Sequence, residues 1–211
     1  LSIFLSSFKE NKEIFWIGLG SNLLVRDEGF DGIIISTAKF LNKFDWEKNL
    51  LEINVECGVS CAKIARETAK KHATGLEFFA GIPGTIGGAL EMNAGAHGCD
   101  TWQSVKSVDV ISRDGSIKRL YKNSFNPGYR KIDGDNGWFV RACFQLKHNN
   151  DKDGLEKIKM ILSQRKASQP IGSLSCGSVF INPKKSFAGQ LIEECGLKGF
   201  RVGGALISEK H

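Results

Sequence analysis

Leu1, Ile3, Phe4, Leu5 and Phe8 fall on one side of a helix, and Ile14 to Ile17 follows as a short buried strand. Gly32 to Thr37, GIIIST, is β-branched and reads as a second strand. Leu51 to Cys57 alternates strictly. Leu51, Ile53, Val55 and Cys57 share one face and Glu52, Asn54 and Glu56 the other, so one side of that sheet meets water. Ser60 is placed to cap a helix through about Lys71, with Cys61, Ala62, Ala65 and Ala69 inward, Glu67 four residues before Lys71 and Gly75 as the stop. Further on, Val105 to Ser112 and Ser116 to Tyr121 flank Arg113-Asp114-Gly115, a turn of hairpin type. Trp138 to Leu146 puts Val140, Ala142, Phe144 and Leu146 on one face of another strand, and Asn126 to Gly137 before it reads as a polar loop around Tyr129-Arg130.

Asn149 to Asp153 is a polar break that looks like a linker. The helix after it, about Gly154 to Lys166, carries Leu155, Ile158, Ile161 and Leu162 at helical spacing, with Asp153 and Glu156 placed as a capping box. Arg165 and Lys166 end it, either as compensation of the helix dipole or facing an anionic ligand. Ser173 to Pro183, SLSCGSVFINP, is a serine and glycine turn into a short apolar run that Pro183 ends. A helix from Phe187 to Cys195, capped by Ser186 and stopped by Gly196, and a strand near Gly204 to Ser208 complete the pattern. Strands outnumber short helices, which predicts an α+β fold with mixed sheets rather than a doubly wound parallel sheet.

Gly81 to Gly98, GIPGTIGGALEMNAGAHG, is rich in glycine and holds no lysine or arginine. A phosphate held there would be held by backbone N–H groups, because glycine permits positive-φ turns and close approach of a ligand to the main chain. Ile82, Ile86, Ala89, Leu90, Met92, Ala94 and Ala96 are interleaved with the glycines, where a solvated linker would carry serine and charge. Gly18 to Leu24, GLGSNLL, also follows an apolar strand. It lacks the GxGxxG spacing and no amphipathic helix opens after it, so it is read as a tight turn in which Ser21 and Asn22 offer small polar groups to a phosphate.

The 211 residues, 41% of them apolar, are enough for a real core. The net charge of +6 is spread along the chain with no basic run longer than two, and the aromatics are not interleaved with basic residues, which argues against a nucleic-acid partner. No stretch approaches the roughly 20 apolar residues of a membrane span, and no signal peptide opens the chain, so it reads as cytoplasmic with no membrane partner. Cys57, Cys61, Cys99, Cys143, Cys176 and Cys195 form no CxxC pair and the histidines stand at no metal-ligand spacing to them; buried, reduced thiols and no metal are expected. HExxH, GxSxG and a Walker A lysine are all missing. Two phosphate turns of different design suit a dinucleotide diphosphate, and a flavin would bring its own redox chemistry.

Gly20-Ser21-Asn22-Leu23-Leu24, then GIPGTIGGALEMNAGAHG, Gly128-Tyr129-Arg130, SCGSVFINP and ISEKH stand in an order, spanning essentially the whole chain, that closely resembles the bacterial UDP-N-acetylenolpyruvoylglucosamine reductases. The resemblance implies a two-lobed flavin-binding domain of the vanillyl-alcohol-oxidase type, placed at residues 1–150, and a smaller, partial α+β substrate domain with its linker helix at 151–211. It implies FAD and NADPH as cofactors and, as substrate, a UDP-sugar enolpyruvyl ether reduced to UDP-N-acetylmuramate for the cell wall; a monomer is expected. Another FAD oxidoreductase of the same fold and a non-catalytic nucleotide-binding module are the alternatives.

By position, the resemblance places the cofactor at Gly20, Ser21, Asn22, Leu23 and Leu24, along Ile82, Pro83, Gly84, Thr85, Gly87, Gly88, Asn93, Gly95, Ala96 and Gly98, and at Arg165. It places Arg130 on the substrate's enolpyruvyl carboxylate, with Tyr129, Lys166 and Asn182 also toward substrate, and Ser178 as the proton donor after hydride delivery. Hydride addition to an enol ether conjugated with a carboxylate puts negative charge onto that carboxylate, so a fixed guanidinium stabilises the transition state more than the ground state. A serine hydroxyl is a poor acid in water and serves only where the charge it neutralises is strongly basic and the site is dry. Cys176 is the rival donor. The spacing from Arg130 to Ser178 matches the shorter class of these enzymes, without the inserted tyrosine loop. Lys131 to Gly137 departs from the family pattern. The family also has a segment before Leu1 and, beyond His211, an asparagine-containing strand and a catalytic glutamate; the chain is expected to be a cut or incomplete piece, inactive or badly impaired as it stands.

Overall fold

A computed structural model describes residues 1–8, 12–48, 51–135, 137–170 and 175–210. The chain runs through α1 (Ser2–Ser7), β1 (Glu13–Ile17), β2 (Gly32–Ser36), β3 (Phe44–Trp46), β4 (Glu52–Glu56), α2 (Cys61–Lys70) and β5 (Ala73–Thr74). A 3₁₀ turn at Glu77–Gly81 leads to α3 (Ile86–Glu91), the short pair β6 (Gly95–Ala96) and β7 (Cys99–Asp100), and α4 (Thr101–Ser104). Then come β8 (Val105–Ile111), β9 (Ile117–Tyr121), β10 (Asn126–Gly128), β11 (Lys131–Asp133), β12 (Trp138–Gln145), β13 (Lys147–His148) and α5 (Gly154–Ser168). The last elements are α6 (Ala188–Glu194), β14 (Arg201–Val202) and β15 (Ala205–Leu206).

The main sheet has five antiparallel strands in the order β3-β4-β12-β8-β9. β1 and β2 form a separate parallel pair. The expectation of mixed sheets is corrected: each sheet is of one kind. The alternation in Leu51 to Cys57 is realised, with Ile53, Val55 and Cys57 buried beside Ala142 and Phe144 of β12. The other face carries paired charge, Lys106 on Glu52 and Arg119 on Asp109, each at 2.7 Å.

Ser60 caps α2 by accepting from the Lys63 N–H, and the helix buries Cys61, Ile64, Ala65, Thr68 and Ala69. Ala62 is only half-buried, and Thr68 is inward because its hydroxyl donates to the Ile64 and Ala65 carbonyls, so its own polar group is paired in the core. Glu67 pairs with Lys70, not Lys71. The helix stops before Gly75, at Lys70 with Lys71 as its C-cap, and His72 follows in the left-handed conformation with φ 53°. Burial of Ile64 contributes about 1.5–3 kcal/mol, and the smaller inward residues add less each.

α5 packs Ile158 and Leu162 into this same core. Leu155 is exposed, and the capping box is not formed; Asp153 accepts from Asn149 Nδ2 and pairs with Lys157 instead. A second, smaller cluster joins Leu5, Ile14, Ile111 and Val140, with Trp16 stacked on Trp138. The Asn126 to Gly137 stretch is no simple loop, since β10 and β11 pair as a hairpin whose two-residue turn is Tyr129-Arg130. Ser173 and Leu174 lie outside the described residues. Val179, Phe180 and Ile181 are exposed and form no strand. α6 is capped from a distance by Asn182 rather than by Ser186, and ends at Glu194, with Cys195 as its C-cap and Gly196 following at φ 68°.

Candidate functional site

Three segments meet around the central glycine stretch. Gly18, at the end of β1, lies so close to Thr85 that a Cβ there would collide with the threonine hydroxyl, and Ser21 Oγ is 3.6 Å from where a Cβ on Gly84 would stand. The turn from Gly18 to Leu24 is thereby laid beside the stretch from Ile82 to Gly98. Gly20 takes φ 70° and Gly98 φ 79°, conformations in which glycine is unstrained. Ser21, Asn22, Leu23 and Leu24 are exposed, as are Leu19 and Val25, and Leu24 retains 82% of its surface. A row of exposed apolar side chains beside open glycine backbone suits a large, partly aromatic anion such as a dinucleotide.

Part of the glycine stretch serves the fold. Thr85 is buried and caps α3 toward the Gly88 N–H, Cys61 N–H donates to the Gly84 carbonyl, and the Ile86 and Gly87 N–H groups donate to Val59 and Cys57 carbonyls. Gly87 lets α3 approach β4 closely, since a Cβ on it would lie 3.1 Å from Cys57 Cβ. Ile82 N–H donates to Phe79, Pro83 and Gly88 are exposed, and Gly95 and Ala96 form β6 against β7. Beneath the loop, burial pushes the Cys61 thiol up to about 12 and, with the charges of Asp109 and Glu56, raises Cys57 too, so both stay neutral.

Asn93, in the left-handed conformation with φ 39°, links this stretch to the next segment. Its Nδ2 donates to the Gly128 carbonyl at 3.2 Å, and its Oδ1 accepts from the Trp102 N–H at 3.2 Å. Gly128 immediately precedes the turn Tyr129-Arg130. Arg130 takes φ 56°, and its guanidinium lies over the Tyr129 ring and reaches the third segment. Nη1 donates to the Ser178 carbonyl at 3.2 Å and to the Phe180 carbonyl at 3.3 Å. Those bonds use the two N–H groups of Nη1. Nε and Nη2, the edge that receives a carboxylate bidentately, make no hydrogen bond among the described residues.

The structure thus brings Gly18 to Leu24, the central stretch, Arg130 and Ser178 into one continuous arrangement. No hydrogen bond among the described residues joins the other expected residues to it. Arg165 donates through Nε to Gln169, Lys166 is exposed at the end of α5, and Asn182 accepts from the Ala188 N–H at 3.0 Å. The role of Phe180 as a backbone acceptor had no signal in the sequence; the bridging role of Asn93 had one, an asparagine in a glycine-rich turn, a residue that tolerates positive φ. Among the described residues no cluster of three or more His, Cys, Asp or Glu is placed to hold a metal, and no helix is long and apolar enough to cross a membrane.

Residues 5–121 match the family described as FAD binding domain, and residues 169–211 match the C-terminal domain of UDP-N-acetylenolpyruvoylglucosamine reductase. The chain is 48% identical to the UDP-N-acetylenolpyruvoylglucosamine reductase of Legionella pneumophila (strain Corby), across all of this chain and 68% of that protein. It is 45% identical to the enzyme of the same name from Alkalilimnicola ehrlichii, across all of this chain and 70% of that one. The solved reductase (MurB) of Thermus caldophilus superposes with a TM-score of 0.86 at 32% identity, covering all of this chain and 76% of its own. An alkyldihydroxyacetonephosphate synthase shares the fold alone, with a TM-score of 0.51 at 16% identity over 70% of this chain and 30% of its own.

Proposed function

The chain belongs to the UDP-N-acetylenolpyruvoylglucosamine reductase family, and we propose that Arg130 and Ser178 act on the substrate while the two glycine turns hold the cofactor. It is a flavoprotein oxidoreductase of peptidoglycan precursor synthesis, with an FAD-binding fold of the vanillyl-alcohol-oxidase type. Its reaction converts UDP-N-acetylglucosamine enolpyruvate to UDP-N-acetylmuramate, and FAD held by the two glycine turns would supply the hydride chemistry between NADPH and the enolpyruvyl group.

Arg130 supports this assignment of roles. Its free edge receives the substrate carboxylate as a fork, while its other end is fixed to the backbone that carries Ser178. A guanidinium held from behind in this way does not have to reorganise as negative charge builds on the carboxylate, which is the condition for transition-state stabilisation. The Ser178 hydroxyl, which no hydrogen bond engages among the described residues, then donates the proton that completes the reduction. Leu19, Leu23, Leu24 and Val25 exclude water from the cofactor side, with Ser21 and Asn22 at its phosphates. Tyr129, Lys166 and Asn182 complete the substrate side, and Arg165 stands at the cofactor. We read residues 1–150 as the cofactor part and 151–211 as the linker helix and start of the substrate part, in a cytoplasmic monomer whose partner is the small UDP-sugar.

Purification of the whole protein and an anaerobic half-reaction test the reading. FAD should copurify, NADPH should reduce it, and UDP-N-acetylglucosamine enolpyruvate should reoxidise it stoichiometrically. A reduced flavin indifferent to this sugar nucleotide would overturn the substrate assignment.

A further inference from the structure

We propose that Asn93 is a positioning residue that couples the cofactor loop to Arg130, setting where the guanidinium stands rather than holding the cofactor itself. The inference rests on the substrate role of Arg130 given above. Trp102 N–H can only donate and Gly128 C=O can only accept, so the Asn93 amide fits between them one way round. One end of the bridge is rigid. Trp102 is 1% exposed, donates through Nε1 to the Leu90 carbonyl at 2.9 Å, and packs on Phe125 at 4.7 Å between ring centroids.

Phe125 lies at the base of the β10–β11 hairpin and Gly128 next to its tip. The hairpin is therefore fastened at two points to one anchor, its base by Phe125 packing and its tip by the Asn93 amide. Between the strands, Arg130 occupies a left-handed backbone conformation that glycine adopts freely and L residues other than asparagine and aspartate avoid, at a cost of about 1–2 kcal/mol. Asn93 occupies the same region at the other end of the link. The Asn93 amide holds the Gly128 carbonyl, two residues before Arg130, and so fixes the turn that aims the guanidinium. Loosening the tip frees Arg130 to relax, and the side chain then leaves the carbonyls of Ser178 and Phe180.

Asn93→Asp keeps the acceptor for Trp102 and tolerates positive φ, but presents a carboxylate oxygen to the Gly128 carbonyl. Asn93→Gly removes the bridge without strain and serves as the second variant if the first fails to fold. Each is made alone and with Arg130→Ala in the FAD-loaded whole enzyme. Dissociation constants for UDP-N-acetylglucosamine enolpyruvate are read from the flavin absorbance change without NADPH, so inactive variants still report. Each Asn93 change should weaken binding about tenfold when Arg130 is present and less than about twofold when it is absent. FAD content and thermal stability should stay near those of the parent. Equal weakening in both backgrounds, or loss of FAD from the single variants, overturns the proposal. If the unmodified enzyme gives no absorbance change with this ligand, the substrate reading itself fails, and the proposal with it.

Discussion

Arg130 Nη1 donates to the carbonyl oxygen of Ser178 at 3.2 Å, joining by a backbone contact two residues that lie 48 positions apart. The bond leaves the serine hydroxyl and the Nε and Nη2 edge of the guanidinium without a hydrogen bond among the described residues. In the roles proposed for them, donor and charge-stabilising group would be held in one frame, so that movement of one carries the other.

Arg130→Gly separates chemistry from stability. Glycine suits φ 56°, and the strain it relieves offsets the lost hydrogen bonds to Ser178 and Phe180. The unfolding free energy should remain within about 1 kcal/mol of the parent. kcat/KM for the enolpyruvyl substrate should fall by about 10²–10³-fold. Steady-state kinetics beside a denaturant titration give both numbers, and a large loss of stability would instead make Arg130 a structural clamp.

Ser178→Ala tests the donor. NADPH should still reduce the flavin at the parental rate, while reoxidation by substrate slows by about 10²–10⁴-fold. Cys176→Ser should leave that step unchanged. If Cys176→Ser stalls it and Ser178→Ala does not, the thiol two residues away is the acid.

The sheet was legible because its elements are locally complete. Ile53, Val55 and Glu52 alternate across a strand with one wet face, and Asp114-Gly115 marks its hairpin. What escaped was settled by distant partners. β10 contains Pro127 and its hairpin with β11 turns on Tyr129-Arg130, neither a turn-forming residue, while the Gly128 carbonyl beside the tip is held by Asn93, 35 residues earlier. α6 takes its cap from Asn182, six residues before Ala188, so Ser186 beside the helix gave a false local signal. The same is true of the linkage that makes the site. Glycine content pointed to the loop, but nothing in the spacing said that Arg130 would reach the carbonyls around Ser178, or that Gly87 would serve close packing as well as an open backbone.

Gly87→Ala probes that last point. The added Cβ would lie 3.1 Å from Cys57 Cβ and 3.2 Å from the Cys57 carbonyl oxygen, and Cys57 is buried in the core and cannot yield. α3 must lift from β4, at a cost of about 1–3 kcal/mol. Thermal unfolding should show this even without FAD, whereas a defect seen only as weaker FAD binding would place Gly87 at the ligand instead.

Alkaline pH should reveal the neutral thiols under the loop. Burial raises Cys61 from 9.0 to about 12 and Cys57 also well above 9.0. Below pH 9 both are protonated in the folded and unfolded chain, and their contribution to stability is fully present. As the pH rises further the unfolded chain releases protons that the folded chain keeps, so unfolding becomes easier by up to ~1.4 kcal/mol per pH unit for each thiol until the folded value is reached. Denaturant titrations between pH 7 and 11 should show that decline, and Cys61→Ala should make it shallower. A thiol reagent at pH 8 should label the exposed Cys99, Cys176 and Cys195 at once and reach Cys57 and Cys61 only on unfolding. An unchanged slope in Cys61→Ala would assign the alkaline loss to other groups, and rapid labelling of Cys61 would mean that α2 opens beneath the cofactor loop in the native protein.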